Sequence, residues 1–77
     1  MLKLKIVSPE KIEFNGEVSQ VIVPGTQGQF EILRNHAPIV STLQKGTVVY
    51  DGHELPVSGG FVEVQKNEVS LCVELAR

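Results

Sequence analysis

The chain has 77 residues, which is enough for one domain with a small core and too few for two. Its formal net charge of -2 and its scattered Lys and Arg residues exclude the clustered cations that a nucleic-acid binder needs. The single cysteine excludes an internal disulfide and a cysteine-based zinc site, and no apolar run approaches the roughly 20 residues of a membrane span.

Apolar and polar residues alternate with a period of two along most of the chain. The alternation is clearest at residues 2–6, 12–14 and 69–75. A period of two places the apolar side chains on one face of a sheet. Gly, Pro and Asn residues interrupt the pattern at short intervals, and no segment carries a 3.6-residue apolar stripe. The pattern therefore predicts an all-β sandwich or barrel with no substantial helix.

Two hairpins are predicted from the register of their flanking residues. A two-residue turn at 66–67 places Phe61 opposite Cys72 and aligns the apolar residues of the other face. A two-residue turn at 51–52 aligns Val48 with Leu55 in the same way. Both faces of each predicted hairpin are then internally consistent.

Asn15-Gly16 is a third turn signal, and its register is less regular. A two-residue turn would place the aromatic Phe14 opposite a glutamate, Glu17. A three-residue loop or a bulge would instead place Phe14 opposite Val18. We expect the longer loop or the bulge.

Three places are apolar on both faces of their strands. They are residues 21–23, residues 39–40 and the Phe61/Cys72 pair. One interpretation is that these strands lie centrally in the fold, or that the sandwich is closed enough to bury both faces. The other is a docking surface, because small soluble proteins rarely expose contiguous apolar patches. The sequence favours neither interpretation over the other.

Catalytic groups are few. Asp51 and His53 flank a predicted hairpin tip, where a water-excluding site is hard to build, and Ser58 lacks the glycine context of a nucleophile elbow. We expect His36 to brace its loop by a hydrogen bond. With two histidines in the chain and no third ligand, no metal or cofactor site is predicted.

Two glycine pairs have structural interpretations. Gly25 and Gly28 lack the Lys and Ser/Thr of a phosphate-binding loop, so they predict a turn in which glycines supply positive φ. Gly59-Gly60 predicts a bulge or a close crossing of strands.

Short motifs occur in a fixed order along the whole chain: Leu4-Lys5-Ile6-Val7-Ser8-Pro9-Glu10, Phe14-Asn15-Gly16-Glu17-Val18, Val23-Pro24-Gly25 with Gly28, His36-Ala37-Pro38 before Leu43-Gln44-Lys45-Gly46, and Ser58-Gly59-Gly60-Phe61-Val62-Glu63-Val64. The ordered set resembles the N-terminal domain of the epsilon subunit of F-type ATP synthases. The resemblance covers residues 1–77 as a single domain. It implies a flattened β-sandwich or jelly-roll of about ten short strands in two sheets.

The resemblance also implies a function. Such a domain belongs to a non-catalytic rotor subunit in the central stalk of a proton- or sodium-translocating ATP synthase, where it couples the c-ring to the gamma subunit. Its catalytic sites lie on other subunits. The implied location is peripheral, on the cytoplasmic face of the bacterial inner membrane.

The residues implied to bind partners fall into two segments. Gln29, Phe30 and Glu31 would lie toward the c-ring, and His36, Ala37, Pro38, Ile39, Val40 and Ser41 toward gamma. The chain departs from the family pattern at 28–31, where the family often has Gly-Glu-Leu-Gly, and at 34–35, where Pro-Gly is usual. Both departures bear on the charge pairing with the c-ring.

Most relatives of this type continue into a C-terminal helical hairpin that can inhibit ATP hydrolysis and sometimes binds ATP. The sequence has no residues for that hairpin, so we expect no ATP site. A naturally short subunit and a piece of a longer one both fit.

The alternative is a β-sandwich module that binds a carbohydrate or a peptide in a groove lined by exposed aromatic residues. The chain has four aromatic residues other than histidine, three Phe and one Tyr. An enzyme is a weaker third hypothesis, because the residues assemble no catalytic site.

Overall fold

A computed structural model describes residues 1–76, and this range contains eight β-strands and no helix. The strands are β1 (Leu2–Val7), β2 (Ile12–Val18), β3 (Val21–Gly25), β4 (Gly28–Ile32), β5 (Ile39–Leu43), β6 (Gly46–Tyr50), β7 (His53–Gln65) and β8 (Glu68–Leu75). The all-β prediction is confirmed. The strands number eight where about ten were expected, because β7 runs unbroken for 13 residues and residues 12–18 form one strand.

The strands form two layers that share β7. One layer has the order β2-β1-β8-β7-β5, and the other consists of β6, β3 and β4 with the first part of β7. All pairs are antiparallel except β1 with β8, which is parallel. The two layers are therefore one hydrogen-bonded network folded over on itself, as in a sandwich.

The inward faces of both layers form one apolar core. Leu4, Ile6 and Leu71 come from the first layer, and Val21 and Ile32 come from the second. Each of these side chains is at most 1% exposed. No polar side chain among the described residues is buried, so the core is held by apolar contact alone.

The two register predictions for hairpins are confirmed. Across the turn at 66–67, Phe61 pairs with Cys72, and across the turn at 51–52, Val48 pairs with Leu55. Asp51, Lys66 and Asn67 all have positive φ, as the tight turns require.

The expectation of a loop or a bulge at Asn15-Gly16 that pairs Phe14 with Val18 is wrong. Both residues of that dipeptide lie inside β2, where Asn15 pairs with Lys5 and Gly16 pairs with Leu4 of β1. Phe14 instead pairs with Ile6. A Cβ at position 16 would lie 3.2 Å from Cζ of Phe14, so the glycine provides room for the ring.

The predicted irregularity at Gly59-Gly60 is confirmed. The register of β7 against β8 shifts between Val57 and Gly59, and this shift separates the half of β7 that pairs with β6 from the half that pairs with β5. Gly60 has a φ of 142°, and a Cβ there would overlap the Cys72 carbonyl and lie 2.8 Å from Cα of Val73. Only glycine permits so close a crossing.

Within residues 1–76, no helix has the length and the apolar character that crossing a membrane requires.

Candidate docking surface

The β3–β4 hairpin forms one wall of the surface. Its turn is Thr26-Gln27, and Gly28 supplies a φ of 130°. Gly25 does not have positive φ, contrary to the expectation that both glycines would. It is required for space, because a Cβ there would lie 2.7 Å from the Gly28 carbonyl oxygen and 2.9 Å from the Phe30 ring.

The end of β5 is fastened to this hairpin by four hydrogen bonds. The Thr26 amide donates to the Thr42 carbonyl at 3.1 Å, and the two threonine hydroxyls lie 2.9 Å apart. The Gln44 amide donates to the Pro24 carbonyl at 2.9 Å, and its side-chain Nε2 donates to the Gly25 carbonyl at 3.1 Å. These contacts fix the angle between β5 and the β3–β4 hairpin.

An open groove lies between β4 and β5, which we call the β4–β5 groove. Its lining brings together Gln29, Phe30, Ile39, Val40 and Ser41 of the residues predicted to bind partners. The volume is about 630 Å³. Val40 is 72% exposed, which is the largest exposure among the large apolar residues in the described range. The geometry suits contact with another macromolecule more than capture of a small ligand.

The other predicted partner residues lie beside the groove. Glu31 is exposed on β4, and its Oε2 accepts a hydrogen bond from Gln20 Nε2 at 2.9 Å. The half-buried His36 donates its amide to the Leu33 carbonyl at 3.1 Å, and its Nδ1 lies 2.8 Å from the Ala37 carbonyl. The loop-bracing role expected for His36 is therefore present.

Ala37 and Pro38 are exposed in the loop that leads into β5. The same loop is held from its other end by Asn35, which has a φ of 66°. The Asn35 amide donates to Oδ1 of Asn67 in the β7–β8 turn at 2.6 Å. The Asn67 carbonyl in turn accepts the Lys3 amide at 2.9 Å, so the loop is tied to the first layer.

The sequence did not single out the turn residues Thr26 and Gln27, nor Thr42, as part of the surface. All three line the groove. Their only signal was a polar turn beside an apolar strand, which many surface turns share.

The polar residues weighed for catalysis have structural partners. Asp51 Oδ1 accepts the amides of Ser19 at 2.9 Å and of Gln20 at 3.2 Å. The Ser58 hydroxyl donates to the Glu74 carbonyl at 3.3 Å. In the part of the chain that the structure describes, no three metal-ligating side chains form a cluster.

The sequence matches the family model described as "ATP synthase, Delta/Epsilon chain, beta-sandwich domain" over residues 1–77. The chain belongs to this ATP synthase delta/epsilon family. The ATP synthase epsilon chain of Leptospira interrogans is 47% identical over 77 residues, an alignment that covers 95% of this chain and 61% of that one. The epsilon chain of Chlorobium limicola is 43% identical, with 94% of this chain and 88% of that one covered. The chain thus spans about three fifths of the first curated relatives it matches.

Solved structures share the delta/epsilon sandwich fold. The central stalk and c-ring structure of the Tetrahymena thermophila mitochondrial ATP synthase contains a chain that matches with a TM-score of 0.82 and 15% identity. That match covers 95% of this chain and 63% of the other. A chain of the Euglena gracilis mitochondrial ATP synthase matches with a TM-score of 0.84 and 20% identity, covering 94% and 49%. At these identities the likeness concerns the fold.

Proposed function

We propose that this domain is a non-catalytic part of the central stalk of a proton- or sodium-translocating F-type ATP synthase, where it couples the c-ring to the gamma subunit. The observation that carries the proposal is the β4–β5 groove. It gathers both predicted partner segments, and it exposes Val40 on a family scaffold. In this role the domain is peripheral to the membrane, on the cytoplasmic face of the bacterial inner membrane.

Transmission of torque needs a stiff body and an interface that resists shear. The stiffness comes from a continuous network of eight strands and from loops braced at both ends, such as residues 33–38 between the Leu33 carbonyl and Asn67. The interface is supplied by the exposed side chains of β4 and β5. Coupling by contact requires no catalytic group within this domain.

The two segments serve two neighbours in this proposal. Gln29, Phe30 and Glu31 lie on β4, the last strand of its layer, and face the c-ring. The segment 36–41 leads into β5 and faces gamma. Glu31 is already paired with Gln20, so its carboxylate reaches the c-ring from a held position.

A sugar-binding groove has weaker support. Such sites stack sugars on aromatic rings, and Phe30 is the one aromatic residue among those that line the β4–β5 groove. Phe14 and Tyr50 stack on each other instead, with ring centroids 4.8 Å apart.

The proposal is tested by binding to the purified gamma subunit and, separately, to purified c-ring in detergent. Val40→Asp should weaken gamma binding by about tenfold or more, because it places a charge in the centre of the contact. Ser70→Asp, an equally exposed position on β8, is the matched control and should bind like the unmodified chain. Glu31→Lys should weaken only c-ring binding. An unmodified chain that binds neither partner would overturn the proposal.

A further inference from the structure

The outward face of the β2-β1-β8-β7-β5 layer is divided into rows by the strand register. Residues that pair across strands share a face, so each row can be read from one strand to the next. The row near the β7–β8 turn runs Gln65, Glu68, Lys3, Glu17. The next runs Val40, Glu63, Ser70, Lys5, Asn15. Both rows are polar apart from Val40 at the border.

The third row is apolar across its inner members. It runs Thr42, Phe61, Cys72, Val7, Ile12, and we call it the outer apolar row. Phe61 is 48% exposed and Ile12 is 54% exposed, while Val7 and Cys72 are half-buried. The row crosses five strands of the layer without a charged residue.

Folding does not require this row to be apolar. The opposite face of the same strands already supplies the core, with Val62 and Leu71 at 0% and 1% exposure. Neighbouring rows on the same outward face show that polar residues are accepted there. A contiguous exposed apolar row on a small domain indicates a surface that another molecule covers.

The outer apolar row is continuous with the β4–β5 groove. Thr42 is the first member of the row and also lines the groove, and Val40 lines the groove one outward position along β5. One partner that reaches the groove can therefore extend along the row without crossing a polar gap.

Charges beside the row identify the kind of partner. Glu63 lies on β7 one outward position from Phe61, and Glu74 lies on β8 one outward position from Cys72. Both are exposed. A second copy of the chain would bring the same acidic side chains to the contact, where like charges repel. A partner with basic residues beside its apolar ones complements both features.

We propose that the outer apolar row seats an amphipathic helix of the partner that binds residues 36–41, with Lys or Arg flanking the apolar stripe of that helix. Five strands about 4.8 Å apart span about 19 Å, which matches about 13 residues of helix. The shallow row, about one side chain wide, suits a helix laid across the strands. This inference rests on the proposed function, and it adds a second contact and its chemistry to it.

The test uses purified gamma subunit as the probe and the variant Phe61→Ser. We expect gamma binding to weaken about tenfold, with thermal unfolding nearly unchanged. The matched control is Gln65→Ser, on the same outward face of β7 but in a polar row, and it should bind normally. The pair Glu63→Lys and Glu74→Lys should also weaken binding and reduce its dependence on salt.

The outcomes separate the two proposals. If Val40→Asp weakens gamma binding while Phe61→Ser does not, the inference about the row fails and the proposed function stands. If neither variant changes the binding, both fail.

A photo-crosslinking residue in place of Phe61 should label a helix of gamma that carries Lys or Arg. Labelling of a c subunit, or of a gamma segment that is not helical, would overturn the inference. Sedimentation equilibrium gives a further check, because a dimer of the isolated domain that Phe61→Ser dissociates would mean that a second copy covers the row.

Discussion

The two faces of the β7–β8 hairpin carry similar residues in different surroundings. On the inner face Val62 pairs with Leu71, and both are at most 1% exposed. On the outer face, one residue away, Phe61 pairs with Cys72, and Phe61 remains 48% exposed. The comparison teaches that apolar residues at adjacent positions of one hairpin serve different purposes.

The inner pair accounts for stability. Full burial of a side chain such as Leu71 contributes about 2 kcal/mol to folding. The outer pair leaves about half of the Phe61 side chain in water, and the same layer accepts Glu63 and Gln65 at equivalent outward positions. Stability therefore explains the inner pair, and a bound partner explains the outer one.

The largest effect is expected from Gly60→Ala, which breaks the geometry on which both faces depend. The new Cβ would overlap the Cys72 carbonyl at a backbone φ of 142°. Backbone strain and overpacking together should lower the free energy of unfolding by about 4 kcal/mol or more, and this can prevent folding altogether. Urea unfolding followed by circular dichroism measures the loss.

Gly52→Ala is the control for the Gly60 variant. Gly52 also has a positive φ, 84°, but a Cβ there meets nothing within 4 Å. It should lower the free energy of unfolding by only about 1 kcal/mol. Equal losses in the two variants would show that the close crossing at Gly60 contributes nothing beyond its backbone conformation.

The next effect sharpens the comparison of the two faces directly. Leu71→Ala should lower the free energy of unfolding by about 3 kcal/mol, because it removes buried methyl groups and leaves a cavity. Phe61→Ser, although it removes more atoms, should change it by less than about 1 kcal/mol, since half of that side chain is already exposed. Chemical denaturation of both variants gives the ratio, and a larger loss for Phe61→Ser would contradict the division of roles.

The smallest effect is expected where neither face of the hairpin is involved. Asp51→Ala removes the acceptor of the Ser19 and Gln20 amides and places alanine at a φ of 47°. It should lower the free energy of unfolding by about 1–2 kcal/mol. Asp51→Asn keeps a side-chain oxygen and tolerates the backbone conformation, so its thermal unfolding should stay close to that of the unmodified chain.

The fold class and two hairpins could be predicted because their determinants are local. Alternation fixes which side chains share a face, and the turns at 51–52 and 66–67 fix the register. Asn15-Gly16 has an equally strong turn signal, but it was overridden. Pairing of β2 with β1, and the room that Gly16 leaves for the Phe14 ring, decide the structure there.

The candidate site was predictable in part. The segments 29–31 and 36–41 were identified from motif resemblance, and the structure places most of their residues in or beside one groove. The outer apolar row was not predictable as a unit. Its continuity depends on the pairing of Val7 with Cys72, across 65 positions of sequence, and no local pattern specifies that pairing.

The parallel pairing of β1 with β8 imposes an order on the birth of the protein. Residues 2–7 emerge first from the ribosome, yet the strand that covers one side of them, 68–75, is among the last to be made. Until then β1 can hold only its hairpin partner β2, and its other edge stays open. The nascent chain must therefore wait, nearly to its final residues, before the sandwich can close.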